Sequence, residues 1–462
     1  MSSRTAQKAI VVLALLCAAP FSAMPQNSAS TSSPFSRFGL GELQPQLFGQ
    51  NRALGGTGYG TRTRNQVNVA NPAALTAFSP NAAIFDLGLN GGLSRYESGG
   101  QSHQVYQTNI SHLVMGFKLS ERLSASMGML PYSSVGYAAQ ETKSLVDLGS
   151  PGSLTSRFAG QGGTNSYFMA AGYKLLRGRG LPGQPEAGQP APDKSVRHEL
   201  SAGLTAGYLY GSLDQVFTSQ YQGEDVLNTV RTTRRDILSG FQYTGGFQYT
   251  LDFERRDKER VSLTLGAALR TSATLGSEAS ELVYGSLRVN TSSGGNRVLE
   301  DTLSPLSVSQ SQVELPTHLG AGASVRVGNR LLVAVDYELQ DWSRARFGGQ
   351  ANADLGPSSR LSAGIQYVPQ WNAVTSYLKV VRYRAGFHMS QTYWRMEGQA
   401  VQDMAFSLGL GLPMRNSRTF INLFAELGQM APAEGDLLTE RYVNGGVSFS
   451  LQDIWFIKRR FD

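Results

Sequence analysis

From Asn81 to the end of the chain, apolar residues recur at every second position. Over 200–210 the even positions carry Leu200, Ala202, Leu204, Ala206, Tyr208 and Tyr210, set against Ser201, Gly203, Thr205 and Gly207. Val261, Leu263, Leu265, Ala267 and Leu269 alternate with Ser262, Thr264, Gly266, Ala268 and Arg270. Leu361, Ala363, Ile365 and Tyr367 do the same, as do Phe406, Leu408 and Leu410 against Ser407, Gly409 and Gly411. A two-residue period sends successive side chains to opposite faces of a strand, so each run has one apolar face and one small or polar face. Strands of water-soluble sandwiches alternate too, so length has to decide. Many of these runs reach about 10 residues, the length with which a tilted strand crosses a bilayer.

The connections alternate as well. Short ones fall at 120–122, 253–260, 327–330, 369–379 and 413–418, and long ones are expected at 141–165, 214–230, 277–311, 346–358, 390–402 and 430–438. Short turns on one side and long loops on the other are the signature of an outer-membrane barrel, and the count comes to about fourteen strands. The Pro/Gly-rich connector 178–194 is long where the scheme wants a short turn. An even strand number puts both chain ends on the periplasmic side. Trp455, Phe456 and Ile457, followed by Arg459 and Arg460, read as an interface anchor. The expected fold is therefore all-β, a transmembrane antiparallel β-barrel formed by residues 81–462.

One stretch does not alternate. Arg52 to Leu75, RALGGTGYGTRTRNQVNVANPAAL, is glycine-rich, then polar, and ends in Asn71-Pro72-Ala73. It follows an irregular Ser-, Pro- and Gly-rich segment at 28–50, and the two are read together, over residues 24–80, as an N-terminal extension and a hatch lying in the lumen. Its glycines, Gly55, Gly56 and Gly58 among them, suit close backbone packing. Asn71-Pro72-Ala73 suits a rigid joint between hatch and first strand; a moving gate is the alternative.

Composition agrees with this picture. The chain has 462 residues with 52 Gly and only 16% charged residues. A mean hydropathy of −0.21 is too low for a helical membrane protein but fits a barrel, where every second residue faces lipid. Residues 1–23 read as a signal peptide, with Arg4 and Lys8 before an apolar run from Ala9 to Ala19. Removing it leaves no cysteine, since Cys17 is the single one. The formal charge of +7 is scattered in pairs such as Arg234-Arg235, which reads as a solvated surface, and nucleic acid is not an expected partner.

No chemistry-bearing motif stands out. His103, His112, His198, His318 and His388 lack metal-ligand spacing, and no nucleophile elbow is present. Gly56-Thr57-Gly58-Tyr59-Gly60 lacks the lysine and the strand–helix frame of a phosphate-binding loop. The chain is read as a non-enzyme with no cofactor, no metal site and no catalytic residues.

Two motifs carry a resemblance. The first is Gly55-Gly56-Thr57-Gly58 followed by Asn71-Pro72-Ala73-Ala74-Leu75; the second is Leu315-Pro316-Thr317-His318-Leu319-Gly320 leading into LLVAVDYELQDWS at 331–343. Together they resemble the outer-membrane long-chain fatty-acid transporter family (the FadL/TodX type), with Ala74 where that family has a glycine. The resemblance implies a fourteen-stranded barrel with a luminal hatch, and passage of hydrophobic molecules through a wall opening beside a kinked strand. By position that strand is Leu123 to Tyr137, and Pro131, which cannot donate a ladder hydrogen bond, is the candidate wall kink; an ordinary proline at a strand end is the alternative. Asp336 is read as a lumen-facing polar group and Trp342 as an interface anchor.

Two functions follow as expectations. One is passive uptake of hydrophobic small molecules such as long-chain fatty acids across the bacterial (Gram-negative) outer membrane, whose lipid surrounds the barrel. The other is a barrel acting as a protein partner or scaffold in secretion or outer-membrane assembly. A general porin is disfavoured by the hatch. A filled interior would favour the scaffold.

Overall fold

The computed structural model describes residues 33–145, 152–179, 197–223, 226–254, 259–290, 296–414, 418–434 and 438–454. The signal peptide, most of the 178–194 connector and the Trp455–Ile457 anchor lie outside them. The wall consists of β1 (Ala82–Ser98), β2 (Gln101–Lys118), β3 (Leu123–Leu145), β4 (Gly152–Arg179), β5 (Arg197–Gln222) and β6 (Val226–Glu254). Next come β7 (Arg260–Arg270 and Ala273–Asn290) and β8 (Asn296–Leu315 and His318–Val327), each interrupted once. Then follow β9 (Leu331–Asp341), β10 (Pro357–Tyr367), β11 (Arg382–Met396), β12 (Gln399–Pro413), β13 (Phe420–Pro432) and β14 (Thr439–Ile454). Neighbours pair antiparallel, and β14 closes on β1 from Ile454↔Ala82 to Thr439↔Glu97. The result is a closed barrel of fourteen strands. The interruption of β8 falls at Pro316, which has no N–H to give the ladder.

The barrel is inside-out relative to a water-soluble protein. Leu204, Phe241, Phe247, Phe406 and Leu408 point outward and are exposed, whereas Ser201, Gln248, Asp336, Ser362 and Ser407 point inward and are buried. The alternation read from the sequence thus separates lipid from lumen. Outward aromatics pair across strands, as in Tyr208 against Phe241 with ring centroids 5.0 Å apart.

Wall height is unequal. β9 and β10 have 11 residues each, β4 has 28 and β6 has 29. At roughly 3.3 Å per residue, β3 to β8 continue far beyond the ends of β9 and β10. This corrects the expected long loops: strand runs through most of 141–165, 214–230 and 277–311, and β11 and β12 reach to Met396 and from Gln399 within 390–402. The upper strand halves meet water on both faces, as the unbroken exposure of 297–310 where described shows. No apolar period marks them, so they resemble loops in sequence.

Candidate functional site: a plugged lumen and a split wall

The hatch is threaded through the lumen and tied to the wall on many sides. After the short helix Gly49–Arg52 the chain turns at Gly55, whose φ of 71° is left-handed. A Cβ on Gly55 would lie 2.5 Å from the Phe387 carbonyl and 2.6 Å from that of Ala363, so only glycine fits against β10 and β11. Gly55 N donates to Ser407 Oγ at 3.0 Å, and Arg360 Nη2 donates to Gly55 O at 3.4 Å. Gly58 N and Tyr59 N both donate to Asp336 Oδ2 of β9, at 2.5 and 2.7 Å. Charge-assisted bonds of this kind are about twice as strong as neutral ones. Gln248 Nε2 donates to Tyr59 O at 2.7 Å, and the Tyr59 ring lies where a side chain on Gly320 would be. Burial, with Glu338 nearby, pushes the Tyr59 hydroxyl well above the usual tyrosine range, so it stays neutral.

Asn71-Pro72-Ala73 begins the 3-10 helix Pro72–Ala77. Asn71 Oδ1 accepts from Ala73 N at 3.1 Å, an N-cap, and Pro72 occupies the first helical position, where its missing N–H costs nothing. The other end of the same carboxamide faces outward: Asn71 Nδ2 lies 3.1 Å from Tyr59 O, 3.0 Å from Phe247 O of β6 and 3.3 Å from Ala267 O of β7. One side chain caps the helix and joins hatch to wall. The helix lies against Gly172, Gly203 and Gly246, where a Cβ would come within 2.2–2.7 Å of its atoms or those of Asn71. Below it, Arg62 of the hatch pairs with Glu199 at 2.5 Å, and Lys174 pairs with Glu199 at 3.3 Å.

On the long-strand side a second filling lies above the hatch. Phe35 and Leu40 pack with the inward residues Leu209, Leu238, Leu275 and Leu315, and with Trp342, Tyr393 and Trp394. Phe35 stacks on Trp394 at 5.6 Å, and Trp342 packs tilted against Tyr393 at 4.6 Å. Trp342 is 1% exposed, which corrects its reading as an interface anchor: the segment after β9 folds inward over the lumen. Between the two fillings lies a cavity of about 250 Å³. Its walls include Glu42, Arg52, Arg270 and Arg360, and the pairs His318–Glu338 (3.2 Å) and His388–Asp403 (3.1 Å). These charged groups are interspersed with apolar surface from Leu43, Leu47, Leu339, Trp394 and Met430.

The wall is incomplete in one place. β2 and β3 pair only from Leu113↔Met129 to Lys118↔Ser124, and above that they separate. Pro131 lies two residues past the last pair, beside a register shift between Pro131 and Ser133 in the pairing of β3 with β4. The freed edge of β3 is taken up by the N-terminal extension. Glu42 and Leu43 pair with Ser134 and Ser133, Gln46 Nε2 donates to Pro131 O at 2.8 Å, and Ser36 Oγ donates to Gly136 O at 3.1 Å.

Of the residues singled out in the sequence, Gly55, Gly56 and Gly58 meet β9 to β11, where Arg360 flanks Gly56, whereas Asn71, Pro72 and Ala73 meet β4 to β7, on another part of the wall. Pro131 lies beside the split, its carbonyl bonded by Gln46, the neighbour of the Leu47 that flanks Gly56 and Gly58. Sequence reading did not identify Arg360, Gln248 and Ser407 as hatch partners. They are ordinary inward positions in the alternation, and only the path of the hatch selects them. Among the described residues no cluster of three metal-ligating side chains occurs.

Comparison with known proteins places this geometry. A search of the curated proteins finds no match. Among solved structures, the "TodX deltaS2S3 mutant monoaromatic hydrocarbon channel" is similar, with a TM-score of 0.51 at 15% identity over 88% of this chain and 98% of that one. The Pseudomonas putida toluene transporter TodX gives 0.49 at 14% identity, over 88% and 98%. A Pseudomonas aeruginosa FadL homologue gives 0.49 at 12% identity, over 89% and 98%. At such identities the likeness is one of fold: an outer-membrane barrel of the FadL/TodX type. The model of the BamG family matches residues 6–180 and 193–462, nearly the whole chain, and the protein is therefore a member of the BamG family.

Proposed function

We propose that this protein is a plugged outer-membrane barrel that acts as a partner or scaffold for other proteins in secretion or outer-membrane assembly. The observation that carries this reading is the filled lumen. The hatch is tied to β5 through β12, the Phe35–Trp394 core closes the space above it, and the cavity between them is small, with charged groups set among apolar ones. A space of about 250 Å³ whose apolar walls are interrupted by charged groups offers an elongated apolar molecule little continuous surface to replace water. The tall β3–β8 wall, extending past the ends of β9 and β10, offers a large surface outside the bilayer. Residues 1–23 act as an export signal in this reading, and the chain resides in the outer membrane of a Gram-negative cell.

The test is purification from native membranes in a mild detergent. A partner recovered in fixed stoichiometry, and released when the upper halves of β7 and β8 are shortened, is the expected result. A lone monomer under the same conditions would overturn the reading.

A second reading, passive uptake of hydrophobic molecules such as long-chain fatty acids, is favoured by the split beside Pro131. In it Pro131 is the wall kink, and Gly55, Gly56, Gly58, Asn71, Pro72 and Ala73 form the moving part. Growth or uptake of labelled fatty acids and aromatic hydrocarbons by a deletion strain decides. A loss restored by the wild-type gene but not by one whose split is closed with a cysteine pair supports this reading; unchanged uptake removes it.

A further inference from the structure

At the short-turn end of the barrel, below the hatch, four arginines converge, and none of them has a carboxylate partner among the described residues. Arg326 lies near the end of β8, Arg382 and Arg384 stand two apart at the start of β11, and Arg64 belongs to the hatch. The register Arg326↔Leu332, Leu332↔Gln366, Gln366↔Arg384 sets Arg326 and Arg384 at one level of the wall. Arg64 and Arg326, Arg326 and Arg382, and Arg382 and Arg384 are each close enough to repel one another.

Their partners are all neutral. Arg384, 3% exposed, donates to Gln366 Oε1 at 2.9 Å, to Asn422 Oδ1 at 2.9 Å and to Gln50 Oε1 at 3.3 Å. Arg382 stands over the Phe420 ring at 3.9 Å, and Arg326 Nη2 donates to Arg62 O at 2.8 Å. Among the described residues, two carboxylates join this network, each already engaged: Glu199, reached from Arg326 through Arg62 and paired with Arg62 and Lys174, and Asp86, reached from Arg384 through Asn422 and Ser450 and bonded to Ser450 and His112. The contrast with Arg62, which has Glu199 at 2.5 Å, lies in the same segment. Arg326 and Arg382 are half-buried and Arg384 is buried; gathering like charges out of water with no counter-ion beside them is expensive, by several kcal/mol for a fully desolvated ion. Arg64 is exposed, so the cluster opens toward the short-turn side. Guanidinium groups match oxyanions bidentately.

We propose that Arg64, Arg326, Arg382 and Arg384 form an oxyanion site at the periplasmic mouth of the barrel, taking a phosphate group from free solution or from a lipid headgroup. The site is independent of whether the barrel acts as scaffold or channel. In the test, the full-length protein in a neutral detergent is titrated with sodium phosphate at constant ionic strength, with chloride as control. Binding is read from the phosphorus NMR linewidth and stability from the thermal midpoint.

The expected result is saturable binding that weakens about tenfold or more in Arg382→Gln and in Arg326→Gln, the loss of one charge-assisted contact. Arg382→Gln loses the contact with the Phe420 ring whether or not phosphate is present, so its midpoint should fall further below wild type with phosphate than without it. A second arm follows phosphatidylglycerol retained by native mass spectrometry. Retention lost in Arg382→Gln, without binding of free phosphate, assigns the lipid headgroup; binding of free phosphate that displaces the lipid assigns the free ion. Equal binding by wild type and both variants, effects matched by chloride, or an Arg382→Gln variant equally destabilised with and without phosphate would overturn the site.

Discussion

Asn71 is the most economical place to test how the hatch is held. Its side chain is fully buried and acts at both ends. Asn71→Ala removes an N-cap, which costs about 1 kcal/mol. It also removes a pair of N–H donors shared among three carbonyls, Tyr59 O on the hatch and Phe247 O and Ala267 O on the wall, at about 1 kcal/mol for each lost bond. The sum is about 3 kcal/mol, or roughly a hundredfold in the equilibrium for local release of the hatch. Hydrogen–deuterium exchange followed by mass spectrometry reads such local opening. Peptides covering 54–78 should exchange faster in the variant, while those from β12 and β13 should not. Asn71→Asp separates the two ends: it keeps the cap acceptor but turns an oxygen toward the wall carbonyls. If the wall contacts dominate, Asn71→Asp opens the hatch at least as much as Asn71→Ala. Exchange unchanged in both variants, or raised evenly over the whole barrel, would refute the assignment of Asn71 as the joint.

Two further outcomes test the packing. Gly386→Ala would put a Cβ 2.0 Å from Gly55 N and should displace the hatch turn, seen as faster exchange over 50–60. Gly245→Ala, with nothing within 4 Å, should leave exchange unchanged, and equal behaviour of the two would count against steric seating. Trp342→Ala should lower stability by about 3–5 kcal/mol, the usual cost of removing a buried aromatic, measured as the thermal midpoint of the purified barrel. A loss under about 1 kcal/mol, the scale of a surface substitution, would mean that the upper core is not a packed unit.

The sequence alone determined the wall. Alternation over 200–210, 261–270, 361–367 and 406–411 reports which side chains meet lipid and which meet the lumen, because a strand enforces a period of two and a bilayer enforces apolarity on one side only. It also separated the non-alternating Arg52–Leu75 from that wall, and the glycines and Asn71-Pro72 in it carry local rules that need no partner to be read. What lay beyond reach was wherever both faces of a strand meet one medium, or where a contact joins distant positions. The upper halves of β3 to β8 are wet on both sides, so they read as loops. Trp342 looks like an interface anchor in isolation and is a core residue because the segment after β9 folds inward. The choice of Asp336, Gln248 and Ser407 as hatch partners, the early parting of β2 from β3, and the gathering of Arg64, Arg326, Arg382 and Arg384 are set by barrel register and by the path of the hatch. Those bring together residues up to several hundred positions apart, as in Gly55 with Ser407, and no local pattern encodes such a meeting.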